Sequence, residues 1–254
     1  MRIKVINPNT TRSMTEKIGA CARAAARPGT QVEAVNPAMG PASIESHYDE
    51  ALAVPGLLQE ITIGEREGAD GYVIACFGDP GLQAARELAR GPVVGIAQAA
   101  MHVASLVGSR FSVVTTLART MGQAWHLAEL YGMKRFCANV RACEIPVLEL
   151  EVPGSDARER IILECRRALA EDGSDCIVLG CAGMADLCQS ISQLLGVPVV
   201  DGVAAGTQLV ESLVNLRLGT SKHGELAHPL PKPMSGLLAD FALSSPKPLL
   251  QRAA

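Results

Sequence analysis

An internal repeat is the feature that most constrains how this chain can fold. The segment EGADGYVIAC, which ends at Cys76, aligns without a gap on DGSDCIVLGC, which ends at Cys181, at an offset of 105 residues. Two further pairs recur in the same order at nearly the same offset, namely VINPNTT with SVVTTLART and PVVGIAQAA with PVVDGVAAG. One pair of valine-rich segments can match by chance, but three in register predict two homologous units.

Each unit alternates short apolar runs of strand length with longer segments of helical period, which is the pattern of βαβ units and a parallel sheet. The predicted strands are IKVIN, QVEAV, GYVIAC and PVVGI in the first half and FSVVTT, CIVLGC and PVVDG in the second. We therefore expect an α/β fold of two pseudosymmetric Rossmann-like lobes. Each lobe is a mostly parallel sheet flanked by helices, and the active site lies in the cleft between them.

The repeat also predicts the boundaries of the lobes. Residues 1–97 form the first lobe and residues 98–207 the second, and the helical segment GTQLVESLVNLRLG returns so that residues 208–219 complete the first. Residues 220–254 form a proline-rich C-terminal tail with five prolines after position 228. Because proline interrupts helices and central strands, we expect this tail to be extended, either along the surface or between subunits.

Charge and composition restrict the class of partner. The 23 basic and 26 acidic residues are scattered and give a formal net charge of -3, which does not indicate binding to nucleic acid or to an anionic membrane. The N-terminal apolar run is too short for a signal peptide, and no segment reaches the roughly 20 apolar residues of a membrane span. We expect a cytoplasmic protein with a small-molecule substrate, whose eight cysteines are free thiols.

One cysteine of each repeat directly follows a predicted strand. Cys76 follows YVIA and Cys181 follows IVLG, and ligands of parallel α/β sheets bind at the carboxyl ends of the strands. In a pseudosymmetric pair of lobes the two thiols would face one substrate from opposite sides, as inversion of a stereocentre by one base and one acid requires. Because a helix N-terminus lowers a thiol pKa, we expect one thiolate and one thiol. The other six cysteines are expected to pack in the core.

The remaining candidate ligand contacts all lie where predicted strands end. They are Asn9, Ser43, Ile44, Phe77, Gly78, Thr115, Thr116, Ala182 and Gly183. Short polar side chains at such positions cap helices and also donate hydrogen bonds to ligands. No metal site is predicted, because the chain has no CxxC pair and no cysteine near a histidine at zinc-ligand spacing. No nucleotide cofactor is predicted either, because GxGxxG and GxxxxGK[ST] do not occur.

The segments INPNT, GPASIES, ACFGDPGL and GCAGM together resemble the aspartate/glutamate/hydantoin racemase superfamily. Within it the chain is most similar to hydantoin and allantoin racemases, over nearly its whole length to about Leu218. The resemblance implies a two-lobed α/β fold with the site between the lobes and no cofactor. It also implies that Cys76 and Cys181 are the paired acid and base, and that the protein is a homo-oligomer.

The residues that follow the cysteines distinguish branches of that superfamily. Glutamate and aspartate racemases typically have Asn-Thr and Thr-His there, whereas this chain has Phe77-Gly78 and Ala182-Gly183. An aromatic ring and bare backbone suit a neutral ring with a hydrophobic substituent, so a hydantoin-type ring is the expected substrate. Allantoin racemase, an amino-acid racemase, maleate isomerase and a non-enzymatic two-lobed binding protein remain alternatives. Gln98 stands where many relatives have an acidic residue, so it is not expected to tune Cys76.

Overall fold

Two four-stranded sheets form the framework of the protein, and the computed structural model describes residues 1–243. The first sheet has the order β2-β1-β3-β4, from β1 (Arg2–Ile6), β2 (Gln31–Val35), β3 (Gly71–Ile74) and β4 (Val93–Gly95). The second has the equivalent order β6-β5-β7-β8, from β5 (Phe111–Thr115), β6 (Cys137–Ala142), β7 (Cys176–Leu179) and β8 (Val199–Val200). All pairings between these described strands are parallel. The prediction of two pseudosymmetric α/β lobes is confirmed, although β6 was not predicted.

The strand order creates a crevice at the carboxyl edge of each sheet. From β1 the sheet continues to β2 on one side and through β3 to β4 on the other. Connections that leave in opposite directions open a crevice between the two central strands, where ligands of such sheets bind. Asn9 and Cys76 follow the central strands of the first sheet, and Thr116 and Cys181 follow those of the second. The topology therefore brings the repeated motifs to the same edge.

Helices cover both faces of the sheets. They are α1 (Arg12–Ala25), α2 (His47–Glu67), α3 (Leu82–Leu88), α4 (Ile96–Val107), α5 (Met121–Leu130), α6 (Ala157–Glu171), α7 (Cys188–Leu195) and α8 (Gly202–Asn215). The sequence pattern predicted α1, α2, α3, α6 and α8. Within residues 1–243, no helix combines the length and apolar character that crossing a membrane requires.

The two lobes exchange helices. Helix α4 follows β4 of the first lobe but packs on β5, β7 and β8 of the second, and α8 follows β8 of the second lobe but packs on β1, β3 and β4 of the first. The two helices also pack against each other. Their approach is so close that a Cβ on Gly202 would lie 2.5 Å from the carbonyl oxygen of Ile96. The boundaries expected after residues 97 and 207 consequently fall inside α4 and α8.

One hydrophobic core runs through both lobes. It includes Val5 and Val73 from the first sheet, Phe111 and Val178 from the second, and Met101 from α4 between them. Burial of apolar surface is the main favourable contribution to folding. Because the same buried surface joins both sheets, separating the lobes would expose it, and we expect the two lobes to unfold together.

The segment after α8 returns to the first lobe. The backbone N-H of Thr220 donates to the carbonyl of Arg90 at 3.1 Å. Further along, the expected extended tail is interrupted by two short 3-10 helices, Gly224–Leu226 and Gly236–Phe241. The rest of the expected tail, residues 244–254, lies outside the described residues.

Candidate active site

A cavity lies between the carboxyl edges of the two sheets and is lined by residues of both lobes. The volume that the centre of a water-sized sphere can occupy in it is about 50 Å³. Both candidate cysteines line it, together with most of the predicted contacts. Those contacts are Asn9, Ile44, Phe77, Gly78, Thr115, Thr116 and Ala182. Two predicted contacts, Ser43 and Gly183, are not among the lining residues.

The backbone turn after β3 holds the Cys76 thiol at the cavity. Ala75 still belongs to the sheet, since its N-H donates to the carbonyl of Ile6 at 2.8 Å. The N-H of Asp79 then donates to the carbonyl of Cys76 at 3.0 Å, and the N-H of Gly78 donates to the Cys76 sulfur. Asp79 has φ of +45°, a region that residues other than glycine seldom adopt. The chain is therefore tightly reversed directly after the thiol.

The turn after β7 repeats this arrangement around Cys181. Gly180 donates to the carbonyl of Val114 at 2.8 Å, and the N-H of Met184 donates to the carbonyl of Cys181 at 3.1 Å. The N-H of Gly183 donates to the Cys181 sulfur. The repeat in the sequence thus produces a repeat in the hydrogen bonding of the two turns.

Burial raises the pKa of both thiols. It is the largest cause for each, and it raises the pKa of Cys181 to about 11. The expectation that a helix N-terminus lowers these pKa values is wrong, because desolvation of the thiolate outweighs the single N-H that stabilises it. Helix α3, moreover, begins only at Leu82. At neutral pH the thiol form of both cysteines therefore predominates.

After burial and the N-H contacts, charges act differently on the two thiols. The pKa of Cys76 is raised by the charges of Cys181, Glu50 and Asp79. The pKa of Cys181 is lowered by Lys17 and raised to a smaller extent by each of the carboxylates of Glu45 and Glu151. Because a thiolate at Cys181 disfavours a second one at Cys76, the pair titrates as one coupled system with at most one charge near neutral pH.

Asp79 connects the turn after β3 to the start of α4. Its carboxylate accepts from the N-H groups of Ala97 at 3.0 Å and Gln98 at 2.9 Å, and from the hydroxyl of Tyr131 at 2.8 Å. Burial raises the pKa of Asp79 to about 6, although these three donors and Arg86 lower it. The Gln98 side chain accepts from Arg86 at 2.7 Å. Gln98 therefore reaches the cysteine turn through its backbone N-H rather than through its side chain.

Some polar groups of the cavity are already used inside the protein, and others are left for a ligand. The amide of Asn7 donates to Asn9 at 2.8 Å, and the hydroxyl of Thr115 donates to a backbone carbonyl at 3.3 Å. Within residues 1–243 the side-chain nitrogen of Asn9, Nδ2, donates only to the sulfur of Met14, at 3.4 Å, which is a weak acceptor. The hydroxyl of Thr116 has no partner within residues 1–243. Asn9 and Thr116 thus supply two donors to the cavity.

Several lining residues were not predicted from the sequence. They are Asn7, Met14, Ala75, Thr120, Gln123, Ala124, Val147 and Gly180. Asn7, Ala75 and Gly180 adjoin predicted motifs. The predicted strand ends therefore already indicated their location at the cavity. Gln123 and Val147 instead come from α5 and from the 3-10 helix Val147–Glu151, which only the tertiary structure brings to the cavity.

Several polar contacts join the lobes near this site. Lys17 of α1 pairs with Glu151 at 2.8 Å, and the amide of Gln123 in α5 donates to the carboxylate of Glu50 in α2 at 2.7 Å. The side chains of Lys17, Glu151 and Glu50 are only 24%, 15% and 20% exposed. Together with the shared core, these contacts fix the separation of the two cysteine turns.

Known proteins resemble this chain over nearly its whole length. The sequence model of the Asp/Glu/Hydantoin racemase family matches residues 3–210, which include both cysteine turns. A hydantoin racemase of Pseudomonas sp. (strain NS671) is 48% identical and covers 95% of this chain and 97% of its own. A hydantoin racemase of Rhizobium meliloti is also 48% identical and covers 93% and 98%. The solved allantoin racemase from Klebsiella pneumoniae has a TM-score of 0.94 and 55% identity, and covers 95% of this chain and 99% of its own.

Proposed function

This chain belongs to the Asp/Glu/hydantoin racemase family and is a racemase, and we propose that it interconverts the enantiomers of 5-monosubstituted hydantoins. In this proposal the reaction uses no cofactor, and Cys76 and Cys181 are its acid and base. The observation that carries the proposal is that thiols from equivalent turns of two lobes line one cavity. The names of the relatives that are 48% identical support the hydantoin ring as the substrate class.

The proposed reaction needs a proton acceptor on one face of ring carbon C5 and a proton donor on the other. The thiolate of one cysteine takes the C5 proton and becomes a thiol, while the electron pair left at C5 delocalises into the adjacent ring carbonyl. The thiol of the other cysteine then gives its proton to the opposite face and becomes the thiolate. The protein is left in the protonation state that suits the other enantiomer, so no separate step has to restore it.

The surroundings of the two thiols support this chemistry. A thiolate whose pKa is raised by burial is a stronger base than one in water, which favours removal of a proton from carbon. As negative charge develops on the ring oxygen, the amide of Asn9 and the hydroxyl of Thr116 are donors that can stabilise it. Ile44 and Phe77 supply apolar surface for the C5 substituent.

Deuterium incorporation tests the proposal. One enantiomer of a 5-substituted hydantoin is incubated with the protein in D2O, and we expect loss of optical rotation together with deuterium at C5. The same assay on Cys76→Ala and Cys181→Ala tests the roles of the thiols. Racemisation that survives both substitutions would exclude the two-cysteine mechanism.

Allantoin is a second candidate substrate, because the structure with a TM-score of 0.94 is that of an allantoin racemase. Allantoin is itself a hydantoin with a ureido substituent at C5, so the same two thiols would act on it. Turnover of allantoin beside that of an alkyl or aromatic hydantoin separates the two. A higher kcat/KM for allantoin would make it the preferred substrate and leave the mechanism unchanged.

The proposal includes a homo-oligomer that works in the cytoplasm, where free cysteines stay reduced. Leu106 near the end of α4 is 83% exposed and Leu216 at the end of α8 is 67% exposed, and a contact between subunits would be favoured if it buried such side chains. Light scattering on the protein as it elutes from a size-exclusion column measures the mass of the assembly. A monomer at micromolar concentration would contradict this part of the proposal.

A further inference from the structure

The side chain of Gln123 connects the two lobes at the wall of the cavity. Gln123 belongs to α5 of the second lobe and lines the cavity. Its Nε2 donates to Oε2 of Glu50, in α2 of the first lobe, at 2.7 Å. The side chain of Glu50 is only 20% exposed, so water competes weakly for this hydrogen bond.

The contact with Glu50 determines which end of the amide remains free. An ionised carboxylate can only accept hydrogen bonds, so the nitrogen of the Gln123 amide must face it. The orientation therefore follows from the hydrogen-bonding partner and not from distinguishing nitrogen from oxygen by their positions. The carbonyl oxygen, Oε1, is left over, and within residues 1–243 it accepts no hydrogen bond.

The other side-chain carbonyls of the cavity are occupied. The Oδ1 of Asn7 accepts from the N-H of Asn9 at 3.4 Å. The Oδ1 of Asn9 accepts from the amide of Asn7 at 2.8 Å and from the N-H of Thr11 at 2.9 Å. Among the described residues, Gln123 is thus the lining residue whose amide carbonyl is available to a ligand. Asn9 and Thr116 offer donors, so the cavity holds both kinds of partner.

The side-chain amide of Gln123 packs at Gly78, in the turn of Cys76. A Cβ on Gly78 would lie 2.7 Å from Nε2 of Gln123 and 3.1 Å from Oε1 of Glu50. The N-H of Gly78 also donates to the Cys76 sulfur. The absence of a side chain at this position therefore allows the pair of Glu50 and Gln123 to pack directly on the turn that holds the thiol.

We propose that Gln123, oriented by Glu50, accepts a hydrogen bond from a ring N-H of the substrate and so selects cyclic amides over free carboxylates. This inference rests on the proposed function and adds the group that recognises the ring. A hydantoin ring carries N-H groups next to its carbonyls, and an N-H near C5 has a partner in Gln123 Oε1. A free carboxylate has no hydrogen to donate, and two facing acceptors would repel each other.

Binding of a ligand that cannot react tests this assignment separately from catalysis. 5,5-Dimethylhydantoin has no hydrogen at C5, and its derivatives methylated at N1 or at N3 each lack one N-H. Dissociation constants for the three ligands are measured by calorimetry with the wild-type protein and with Gln123→Met, which keeps the length of the side chain and removes the carbonyl. Gln83→Met, at an exposed position of α3, is the matched control.

We expect Gln123→Met to weaken binding of 5,5-dimethylhydantoin by about 10-fold or more, because a buried N-H loses its partner. The wild-type protein and the variant should bind the ligand methylated at N1 within about 2-fold. N1 is the ring nitrogen bonded to C5, so this ligand lacks the N-H that Gln123 would accept. Gln83→Met should change none of the constants. Glu50→Gln should weaken the unmethylated ligand to a smaller extent, because the partner amide no longer fixes the orientation of Gln123.

Three results would overturn the inference. These are equal weakening of all three ligands by Gln123→Met, no weakening of any, and failure of the wild-type protein to bind 5,5-dimethylhydantoin. If Gln123→Met does not fold by circular dichroism, Gln123→Ala replaces it with the same expected pattern. Racemisation of monosubstituted hydantoins is followed independently, so failure of the proposed function is distinguishable from failure of the Gln123 contact.

Discussion

The turns after β3 and β7 share their backbone hydrogen bonds and differ in the side chains around them. In each turn the N-H two residues after the cysteine donates to its sulfur, and the N-H three residues after it donates to its carbonyl. That third residue is Asp79 in the first lobe and Met184 in the second, and both are buried. The pseudosymmetry of the fold therefore does not extend to the electrostatics of the site. One thiol lies beside a buried carboxylate, and the other has a thioether at the same position.

The helices that follow show the same contrast. Asp201 caps α8 locally and accepts from the N-H groups of Val203 and Ala204, both at 2.9 Å. The equivalent residue before α4 is Gly95, and the cap is supplied by Asp79 from the Cys76 turn. Asp79 thus caps α4 and also belongs to the turn of Cys76. Asp201, which caps α8, does not belong to the turn of Cys181.

The largest expected effect is the loss of racemisation when either thiol is removed, and the exchange that remains should show which face of the substrate each thiol serves. Cys76→Ala and Cys181→Ala should each reduce racemisation by about 10³-fold, because one acid-base group is lost. The thiol that remains can still remove and return a proton on its own face. Each variant should therefore exchange C5 hydrogen in only one enantiomer without inverting it, and the two variants should select opposite enantiomers. NMR of both pure enantiomers in D2O measures this, and exchange of the same enantiomer by both variants would contradict the opposed arrangement.

The next effect concerns the stability contributed by Asp79. Its pKa rises from 3.8 to about 6 in the folded protein, so the folded state binds more protons than the unfolded state between these values. Its contribution to stability is fully present below the unfolded pKa and is lost as the pH rises through about 6. Over that range the wild-type protein should lose about 3 kcal/mol relative to Asp79→Asn. The measurement is the free energy of unfolding in urea for both proteins at several pH values.

Asp175 provides a control with the opposite sign. It lies on the surface, where the hydroxyl and N-H of Ser109 and the N-H of Arg110 lower its pKa. Asp175→Asn should therefore lose stability relative to the wild-type protein as the pH rises through the acid range. The same slope for Asp79→Asn and Asp175→Asn would contradict the assignment of a raised pKa to Asp79.

A smaller effect is expected from filling the space that Asp79 needs. A Cβ on Gly95 would lie 2.2 Å from Cγ of Asp79, so Gly95→Ala should displace the carboxylate from the start of α4. We expect a loss of about 2 kcal/mol in the free energy of unfolding, as for overpacked cores. Gly122→Ala is the control, since a Cβ there meets no atom within 4 Å, and it should not destabilise the protein. Equal stability of both variants would exclude a tight contact between Asp79 and Gly95.

The smallest effect should come from Lys17, whose charge lowers the pKa of Cys181 but is not among the causes that shift the pKa of Cys76. Lys17→Met should raise the pKa of Cys181 above about 11 and leave that of Cys76 unchanged. Alkylation of each cysteine by iodoacetamide as a function of pH, followed by mass spectrometry of the peptides, measures both values. Lys17→Met with Glu151→Gln removes the paired carboxylate as well and should reverse part of the shift. An equal shift at both cysteines would show that the charge is not local to the second turn.

The sequence allowed the sheets and the cysteine pair to be predicted, because both depend on local patterns that occur twice. Buried parallel strands are continuous apolar runs, and the repeat aligned Cys76 with Cys181. Strand β6 was missed because only two of its six residues, Cys137 and Val140, are buried, so it has no continuous apolar run. Helix α4 was missed because only three of its 12 residues are polar, Gln98, His102 and Ser105, and its apolar residues pack on two sides.

The pKa values of the thiols and the part of the cavity wall that Gln123 forms could not be predicted from the sequence. The raised pKa values of the thiols come from burial, which depends on how the lobes pack together. The position of Gln123 depends on how α5 packs against α4 and β6, and no local motif encodes that packing. Ser43 differs from Gln123 in that it was predicted as a ligand contact. It adjoins Ile44 in the chain but is not among the residues that line the cavity.

The exchange of α4 and α8 has a consequence for how such a chain arises from a shorter one. A single repeat of this design would leave its own sheet uncovered and would dock its last helix on a second copy, as in domain-swapped dimers. Such a dimer would carry two identical cysteine turns, and every substitution would appear on both sides of the substrate. Fusion of the two copies into one gene removes that restriction. A carboxylate such as Asp79 can then lie beside one thiol and have no counterpart beside the other, so the two faces of the site differ chemically.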